Sequence, residues 1–468
     1  MNRLVWIIGV CAITVARSVG AAPFTLLNNG PASNRIDLFF LGDGYTQAEI
    51  SLGVYDRDIE GYLDHLFNES GYLSDPFKRY QKFFNVYKAN VASTQSGADI
   101  PHASPPVFVN TALDASYEYA LDGLDDRGLE VSDAKADNAR NNALAGSGIT
   151  ADMQFVTVNS SKYGGTGGPW AVFAGGNDEA HEIALHESGH SFAGLADEYG
   201  GFTTPYTGAE PTEPDVTKDP TGAKWSRWLG FHDPRGSNLN IGVYEGARYY
   251  DTGLYRPSLD SKMRELDQGF DAVSREQFIL DFYKKVDPLD SWLGNKTTVT
   301  SGDLWVKSID PNVIATKWYV NNTLVPGATG ESFNPADFGF GNGTYQVRAH
   351  SYDTVLDHSY DGGMLDLVRT QYDLLQEDIS WTYNEQIVKL PGDFNLNGVV
   401  DVADYVAWRN GLGTTYTAAD YNTWRTHFGQ EAGAGASAVT ASVPEPTSAV
   451  LFVFGLLAVC SIRRGDTC

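Results

Sequence analysis

The sequence contains few cysteines and few basic residues. Its 468 residues include three cysteines, at positions 11, 460 and 468. Because these positions lie in a predicted leader and in the C-terminal tail, the body of the mature protein has no internal disulfide, and packed cores and bound metals must stabilise it. Its 33 basic residues face 59 acidic ones, for a formal net charge of −26. Such a surface repels phosphate backbones, so we expect no nucleic-acid partner.

Long hydrophobic runs are also scarce. The N-terminus combines Asn2-Arg3, an apolar run over residues 4–15 and small residues up to position 22. This pattern predicts a secretory signal peptide over residues 1–21, cleaved near Ala21. Near the C-terminus, the apolar run 449–460 is shorter than the roughly 20 residues that a spanning helix needs. We therefore expect a secreted or cell-surface protein.

The residue pattern changes along the chain. Strand-like and helical runs alternate first, and short alternating runs separated by turn residues follow. Two related helical segments come next, at 403–409 and 419–425, and then an Ala/Gly-rich stretch that cannot bury enough apolar surface to fold. The predicted organisation is a signal peptide at 1–21, an α/β (α+β) domain at 22–287, a β-sandwich at 288–390, a small helical unit at 391–430, a linker at 431–442 and a tail at 443–468.

A metal-binding motif, His-Glu-Ser-Gly-His, occupies residues 186–190. Residues four apart lie on one face of a helix, so His186 and His190 can bind one zinc ion while Glu187 holds a metal-bound water. Zinc lowers the pKa of its water and polarises the scissile carbonyl, and Glu187 accepts the proton as general base. The motif therefore predicts a zinc-dependent endopeptidase.

The third zinc ligand is open among three carboxylates, since a catalytic zinc usually takes three protein groups. Asp197 follows a predicted helix break at Gly194, where the backbone can reverse and return a ligand to the metal. Glu198 is its neighbour and points elsewhere if the segment is extended. Glu210 lies in a Pro/Gly/Thr-rich stretch with no helix to present it. We favour Asp197, then Glu198, then Glu210.

Two further features are expected to border the cleft. The glycine run at 163–168 follows a predicted strand at 155–158 and precedes the predicted helix that carries the motif at 186–190. Because glycines have no side chain, this run can come close to the substrate backbone. A tyrosine can stabilise the oxyanion, and Tyr199, Tyr250 and Tyr255 are candidates that the sequence does not rank.

Residues 186–199 resemble the signature of the immunoglobulin A peptidase family of zinc metallopeptidases, which is metzincin-like. The resemblance covers most of residues 35–285, including the segments 41–45, 75–77, 83–87, 159–165 and 255–257. It implies a zincin-type metallopeptidase domain, a protein or peptide substrate, zinc ligands His186, His190 and Asp197, and Glu187 as general base.

The resemblance also implies that Met263 is the methionine beneath the metal, the Met-turn residue. This sequence departs from the family pattern in two respects. Ser261, Asp271 and Ser274 stand where the family is often rich in cysteine, so no local disulfide is expected. The spacing from His190 to Asp197 is one residue longer than in ordinary metzincins.

A loop over residues 393–404 has the layout of a calcium loop, with a glycine at its sixth position. It resembles that of a dockerin, with Asp404 in place of the usual glutamate. The second repeat offers Arg409, Gly411 and Gly413 in place of carboxylates, so one bound calcium ion is expected. The resemblance to a dockerin implies a cohesin-like protein as a possible partner. The candidate calcium ligands are Asp393, Asn395, Asn397, Val399, Asp401 and Asp404.

The C-terminal tail joins Val-Pro-Glu-Pro at 443–446, the apolar run and Arg463-Arg464. It resembles a PEP-CTERM sorting tail, which implies membrane contact only through this segment before processing, with a plain membrane anchor as the alternative. The rival function is a non-catalytic cell-surface binding or assembly protein that acts through the β-sandwich and the dockerin-like unit. The intact Glu187 argues against it, since a scaffold needs no general base.

Overall fold

A computed structural model describes residues 23–118, 126–294, 297–300, 302–357, 366–385 and 390–431. The predicted signal peptide at 1–21, the predicted tail at 443–468 and residues 432–442 of the predicted linker lie outside the described residues.

The described residues fall into two compact units. The first comprises the described parts of Met1–Asn295, Leu304–Phe333 and Arg348–Ser380, and the second those of Lys296–Asp303, Asn334–Val347 and Trp381–Cys468. The first unit continues past residue 287, and the domain boundaries proposed from the sequence remain predictions.

The described helices and strands follow one another in a mixed order. The helices are α1 (Gln47–Ser51), α2 (Val54–Asn68), α3 (Asp133–Leu144), α4 (Ala180–Ser191), α5 (Ala272–Tyr283), α6 (Val402–Gly411) and α7 (Asp420–His427). The strands are β1 (Phe24–Leu27), β2 (Ile36–Asp43), β3 (Phe84–Ala89), β4 (Ser116–Glu118), β5 (Gly128–Glu130), β6 (Met153–Val158), β7 (Gly165–Thr166), β8 (Ala171–Ala174), β9 (Tyr244–Ala247), β10 (Tyr250–Arg256), β11 (Leu289–Trp292), β12 (Thr298–Val299), β13 (Leu304–Ser308), β14 (Ile314–Val320), β15 (Thr323–Thr329), β16 (Ser332–Phe333), β17 (Gly343–Asp353) and β18 (Gln376–Glu385).

An eight-stranded sheet of order β1-β3-β2-β6-β8-β7-β5-β4 forms the centre of the first unit. Strand β2 pairs in parallel with β3 and β6, and every residue of β2 is buried. Successive side chains point to opposite faces, so Phe40 packs with Tyr62 of α2 while Phe39 packs in the cluster that contains Ala136 of α3. Helices on both faces explain why β2 is nearly continuously apolar.

Helix α4 packs on the α2 side of this sheet. Its Ile183, Ala184 and Leu185 are buried in the same core as α2 and β8. The helix ends at Ser191 with Phe192 as its C-cap, and Gly194 then adopts a left-handed φ of +62°. A residue without Cβ takes this conformation at little cost, so the chain reverses directly after the helix.

A β-rich region follows α5. It contains a three-stranded sheet of order β11-β13-β16 and a five-stranded sheet of order β12-β18-β17-β14-β15. The ring of Trp318 in β14 stacks on that of Phe333 in β16 with centroids 5.1 Å apart. A mixed α/β part with a β-rich region agrees with the sequence-based fold class, whereas the sandwich as a separate domain remains a prediction.

Helices α6 and α7 coincide with the two related sequence segments in the second unit. Tyr405 and Trp408 of α6 pack their rings on Tyr421 of α7, with centroids 6.1 and 5.2 Å away, and Trp424 lies 5.3 Å from Tyr405. The repeated aromatic positions therefore form the contact between the helices. Within the described residues, no helix has the length and hydropathy needed to cross a bilayer.

Candidate metal centre

The two motif histidines lie side by side on α4. The Nε2 atoms of His186 and His190 are 3.1 Å apart, as expected for side chains one helical turn apart. Together with Glu187 they present ligand atoms that all lie within 4.8 Å of one another. Their side chains are 12% and 21% exposed, so both rings border solvent. This arrangement could hold a metal ion.

Backbone carbonyls fix the orientation of both rings. The Nδ1 of His186 donates to the carbonyl oxygen of Lys262 at 2.8 Å, and the Nδ1 of His190 donates to that of Leu195 at 2.8 Å. Because a carbonyl only accepts, each Nδ1 carries a proton, and each Nε2 is the ring nitrogen that binds a metal when it carries none. Such outer contacts are a regular part of metal sites with histidine ligands.

Asp197 is the carboxylate that the structure brings to the histidines. Its Oδ1 lies 3.2 Å from the Nε2 of His186 and 3.2 Å from that of His190. Glu198 is buried and accepts a 2.6 Å hydrogen bond from the Ser261 hydroxyl instead. Glu210 accepts from the Thr217 hydroxyl at 2.7 Å and is not among the described residues lining the cleft. The turn at Gly194 thus returns Asp197, and neither rival, to the helix.

The three atoms fit a zinc ion. Ligands about 2.0–2.1 Å from a tetrahedral zinc are separated by roughly 3.3 Å. The observed separations of 3.1 and 3.2 Å are close to this value, and two imidazoles with one carboxylate are a common donor set for zinc.

Charge holds this cluster together. Burial disfavours the ionised form of Asp197, but hydrogen bonds from His186 and His190 outweigh it and hold the pKa of Asp197 far below its usual range. Burial lowers the pKa of His190, but the hydrogen bond and charge of Asp197 raise it to about 10, so the His190 Nε2 carries a proton that a bound metal must displace. The carboxylate is therefore ionised at neutral pH, as a metal ligand must be.

Glu187 is buried beside the histidines, and burial raises the pKa of its carboxyl group. The glycine run passes directly over it. A Cβ at Gly165 would lie 3.2 Å from the Glu187 Oε1, and one at Gly167 would lie 2.8 Å from the Oε2. The run can therefore approach the carboxylate only because these positions carry no side chain.

A cleft of about 660 Å³ contains the cluster. Tyr199 lines it, and the described lining residues include neither Tyr250 nor Tyr255. Sequence reasoning missed Tyr249, whose hydroxyl donates to the Asp197 Oδ2 at 2.8 Å, and Arg127 on the cleft wall. No motif marks either residue. The remaining lining residues are Gly128, Glu130, Tyr163, Gly165, Thr166, Gly167, Gly168, Ile183, His186, Glu187, His190, Asp197, Arg264, Glu265 and Leu266.

Met263 lies beneath the motif helix. It is fully buried, and a Cβ at Gly189 would come within 2.5 Å of its sulfur. The glycine inside the motif therefore makes room for the methionine. The backbone next to it is anchored as well, because the buried Lys262 pairs with Glu182 on α4. Met263 thus contacts the helix that carries both histidines.

The positions that lack cysteine carry polar contacts. Asp271 caps α5 by accepting from the Ser274 amide at 2.9 Å, and Ser261 bonds Glu198. A hydrogen-bonded segment occupies the place where the family resemblance suggests thiols.

Five of the six candidate calcium ligands lie in a loop that leads into α6, and the sixth, Asp404, lies in the first turn of that helix. The buried Asp393 carboxylate accepts from the amides of Asn397 and Gly398 at 3.1 and 2.9 Å. Asp401 and Asp404 form a capping box at the start of α6. These carboxylates therefore have local backbone contacts in addition to any role toward calcium, which remains a prediction.

Comparison with known proteins supports the peptidase interpretation. A model of the family described as IgA Peptidase M64 matches residues 24–239, less than half of the chain. The matched part includes α4 and Asp197 and ends before Tyr249 and Met263. No curated protein matches the chain. The match supports a metal-dependent peptidase and does not extend to the β-rich region or to the loop at 393–404.

Proposed function

We propose that this chain is a zinc-dependent endopeptidase that hydrolyses peptide bonds of proteins or peptides. One observation carries the proposal: the Nε2 atoms of His186 and His190 and the Oδ1 of Asp197 lie 3.1 to 3.2 Å apart in an open cleft. The family match over residues 24–239 supports the same activity.

His186, His190 and Asp197 hold the metal in this proposal. Zinc held there would lower the pKa of a water molecule and polarise the scissile carbonyl. Glu187 takes the proton of the attacking water and delivers it to the leaving amine. Burial favours this role, because a raised pKa makes the Glu187 carboxylate a stronger base than an exposed one.

The walls of the cleft carry charges of both signs. Arg127 and Arg264 line it together with Glu130 and Glu265, so neither a basic nor an acidic peptide is excluded by charge alone. The glycine run lines one side of the cleft, so the backbone of an extended substrate can approach there.

Replacement of the base tests the mechanism. Glu187→Gln keeps the shape of the side chain but cannot accept a proton, so turnover of a peptide library should fall by about 10²- to 10⁴-fold while zinc content stays unchanged. Glu210→Gln, outside the described cleft lining, is the matched control. Full turnover in Glu187→Gln would contradict the role of this carboxylate. Zinc binding by the unmodified protein without any peptide cleavage would favour the surface-binding alternative.

The remaining parts of the chain carry separate proposals. The pattern of residues 1–21 supports export to the cell surface or medium, and the tail at 443–468 supports sorting and processing. The spacing of oxygen-bearing residues in 393–404 supports calcium binding by a dockerin-like unit with a cohesin-like partner.

A further inference from the structure

A two-residue hairpin tip joins β9 to β10 beside the candidate metal centre. Arg248 and Tyr249 form the tip, between the paired residues Ala247 and Tyr250. Both tip residues have left-handed backbone, with φ of +49° and +67°. Positive φ at both central residues is typical of a type I′ hairpin turn, which strongly prefers residues such as Asn and Gly. Arg and Tyr adopt it only where surrounding contacts hold them.

The contacts that hold the tip come from the segment that carries Asp197. The Arg248 amide donates to the Asp197 carbonyl oxygen at 2.8 Å, and the Tyr249 amide donates to the Tyr199 carbonyl oxygen at 2.9 Å. These two backbone hydrogen bonds join the hairpin tip to the segment 197–199, so the position of each depends on the other.

The side chain of Tyr249 continues this connection to the carboxylate. Its hydroxyl donates to the Asp197 Oδ2 at 2.8 Å, while the opposite oxygen, Oδ1, faces both histidines at 3.2 Å. The Tyr199 hydroxyl donates to the Tyr249 oxygen at 3.1 Å. The two tyrosines thus form a chain of hydrogen bonds that ends on Asp197.

We propose that Tyr249 is a positioning residue that holds the Asp197 carboxylate so that one oxygen alone faces the metal position. The inference rests on the proposed metal site. A carboxylate without this bond can rotate about its last torsion, which is broad, and exchange its two oxygens. The Tyr249 hydroxyl has a single proton, and that proton is donated to Asp197, so the residue acts through the ligand and not on the substrate.

Metal binding by the full chain tests the proposal without measuring peptidase activity. Tyr249→Phe removes the hydroxyl and keeps the ring, so the zinc dissociation constant, measured by competition with a chromophoric chelator, should rise roughly 10- to 100-fold. The visible spectrum of the cobalt(II)-substituted protein should change as well, since it reports how the carboxylate coordinates. Tyr250→Phe, the neighbouring residue outside the described cleft lining, is the matched control and should leave both readouts unchanged. Tyr199→Phe leaves the bond to Asp197 intact and should have an effect between the two.

The outcomes separate this inference from the proposed function. If the unmodified protein binds no zinc, the metal site itself is wrong. If it binds zinc and Tyr249→Phe matches Tyr250→Phe in zinc affinity and in the cobalt spectrum, Tyr249 does not position the ligand. If Tyr249→Phe lowers kcat alone and leaves metal binding unchanged, Tyr249 acts on the substrate, which also overturns the proposal.

Discussion

A single methyl group added to the glycine run should impair catalysis. In Gly167→Ala, the new Cβ would lie 2.8 Å from the Glu187 Oε2 and 2.8 Å from the His190 Cβ, whereas ordinary contact begins at 3.4 Å. The Glu187 contact involves the end of a side chain, but that side chain is buried. The His190 contact lies next to the backbone of α4, so it cannot be relieved by rotating a side chain.

The expected loss of rate follows from how far the new Cβ overlaps its neighbours. Its contacts at 2.8 Å are 0.6 Å shorter than the 3.4 Å at which ordinary contact begins. A misplacement of about 1 Å at a reacting group can cost roughly 10²-fold in rate, so about half that distance corresponds to roughly 10-fold in kcat/KM. If the loop moves away instead, crowding lowers the free energy of unfolding by about 1–3 kcal/mol. Backbone strain does not contribute, because Gly167 is not among the residues with positive φ.

The adjacent glycine supplies the control. A Cβ at Gly168 would meet no atom within 4 Å, and this residue has no positive φ. Gly168→Ala should therefore lower kcat/KM much less than Gly167→Ala, and both proteins should retain zinc. Steady-state kinetics on one peptide substrate, with thermal unfolding of each variant, makes the comparison. Equal kcat/KM and equal melting temperature for the two variants would refute the close approach of Gly167 to Glu187 and His190.

Three further predictions test other parts of the molecule. Asp197→Ala should lose bound zinc, because its Oδ1 faces both histidines, whereas Glu198→Ala should keep more of it; metal analysis of both purified proteins decides, and a larger loss at Glu198 would reverse the ligand assignment. Asp353→Asn should lower the free energy of unfolding by about 3 kcal/mol in urea titrations, because this buried carboxylate accepts from an arginine and two tyrosine hydroxyls, and an unchanged midpoint would show that these bonds contribute little. Calcium should order residues 390–430 in circular dichroism, with a weaker response in Asp393→Ala and little change in Asp420→Ala; full order in chelator, or two ions bound per unit, would count against the predicted single site.

The position of helix α4 and the proximity of its two histidines could be read from the sequence. A helix repeats its faces every three to four residues, so two histidines four apart are neighbours wherever the helix lies. The break at Gly194 was also local information, because a residue without Cβ marks a place where the chain can reverse. The alternation of strands and helices in the first part of the chain was readable for the same reason, as was the change to short strands after α5.

The choice among the carboxylates was not local. Asp197 and Glu198 are adjacent in sequence, yet one faces the histidines and the other is buried against Ser261, sixty-three positions away. Which of two neighbouring side chains reaches the candidate metal centre depends on the path of the turn and on the contacts that the other side chain makes. Local sequence features, above all the predicted break at Gly194, ordered the candidates, and the fold separated them.

The role of the hairpin tip at Arg248 and Tyr249 was even less predictable from the sequence. Tyr249 lies fifty-two positions from Asp197, carries no motif and has the same side chain as Tyr250, which the described cleft lining excludes. The extent of the first compact unit also depends on contacts between residues far apart in the sequence. For example, Asp353 of β17 accepts hydrogen bonds from the hydroxyl groups of Tyr80 and Tyr283. The sequence by itself determined the chemistry of the motif and the local turns around it, because those depend on residues a few positions apart. Only the tertiary structure decided which distant side chains surround that motif, because packing brings them together without regard to their spacing in the chain.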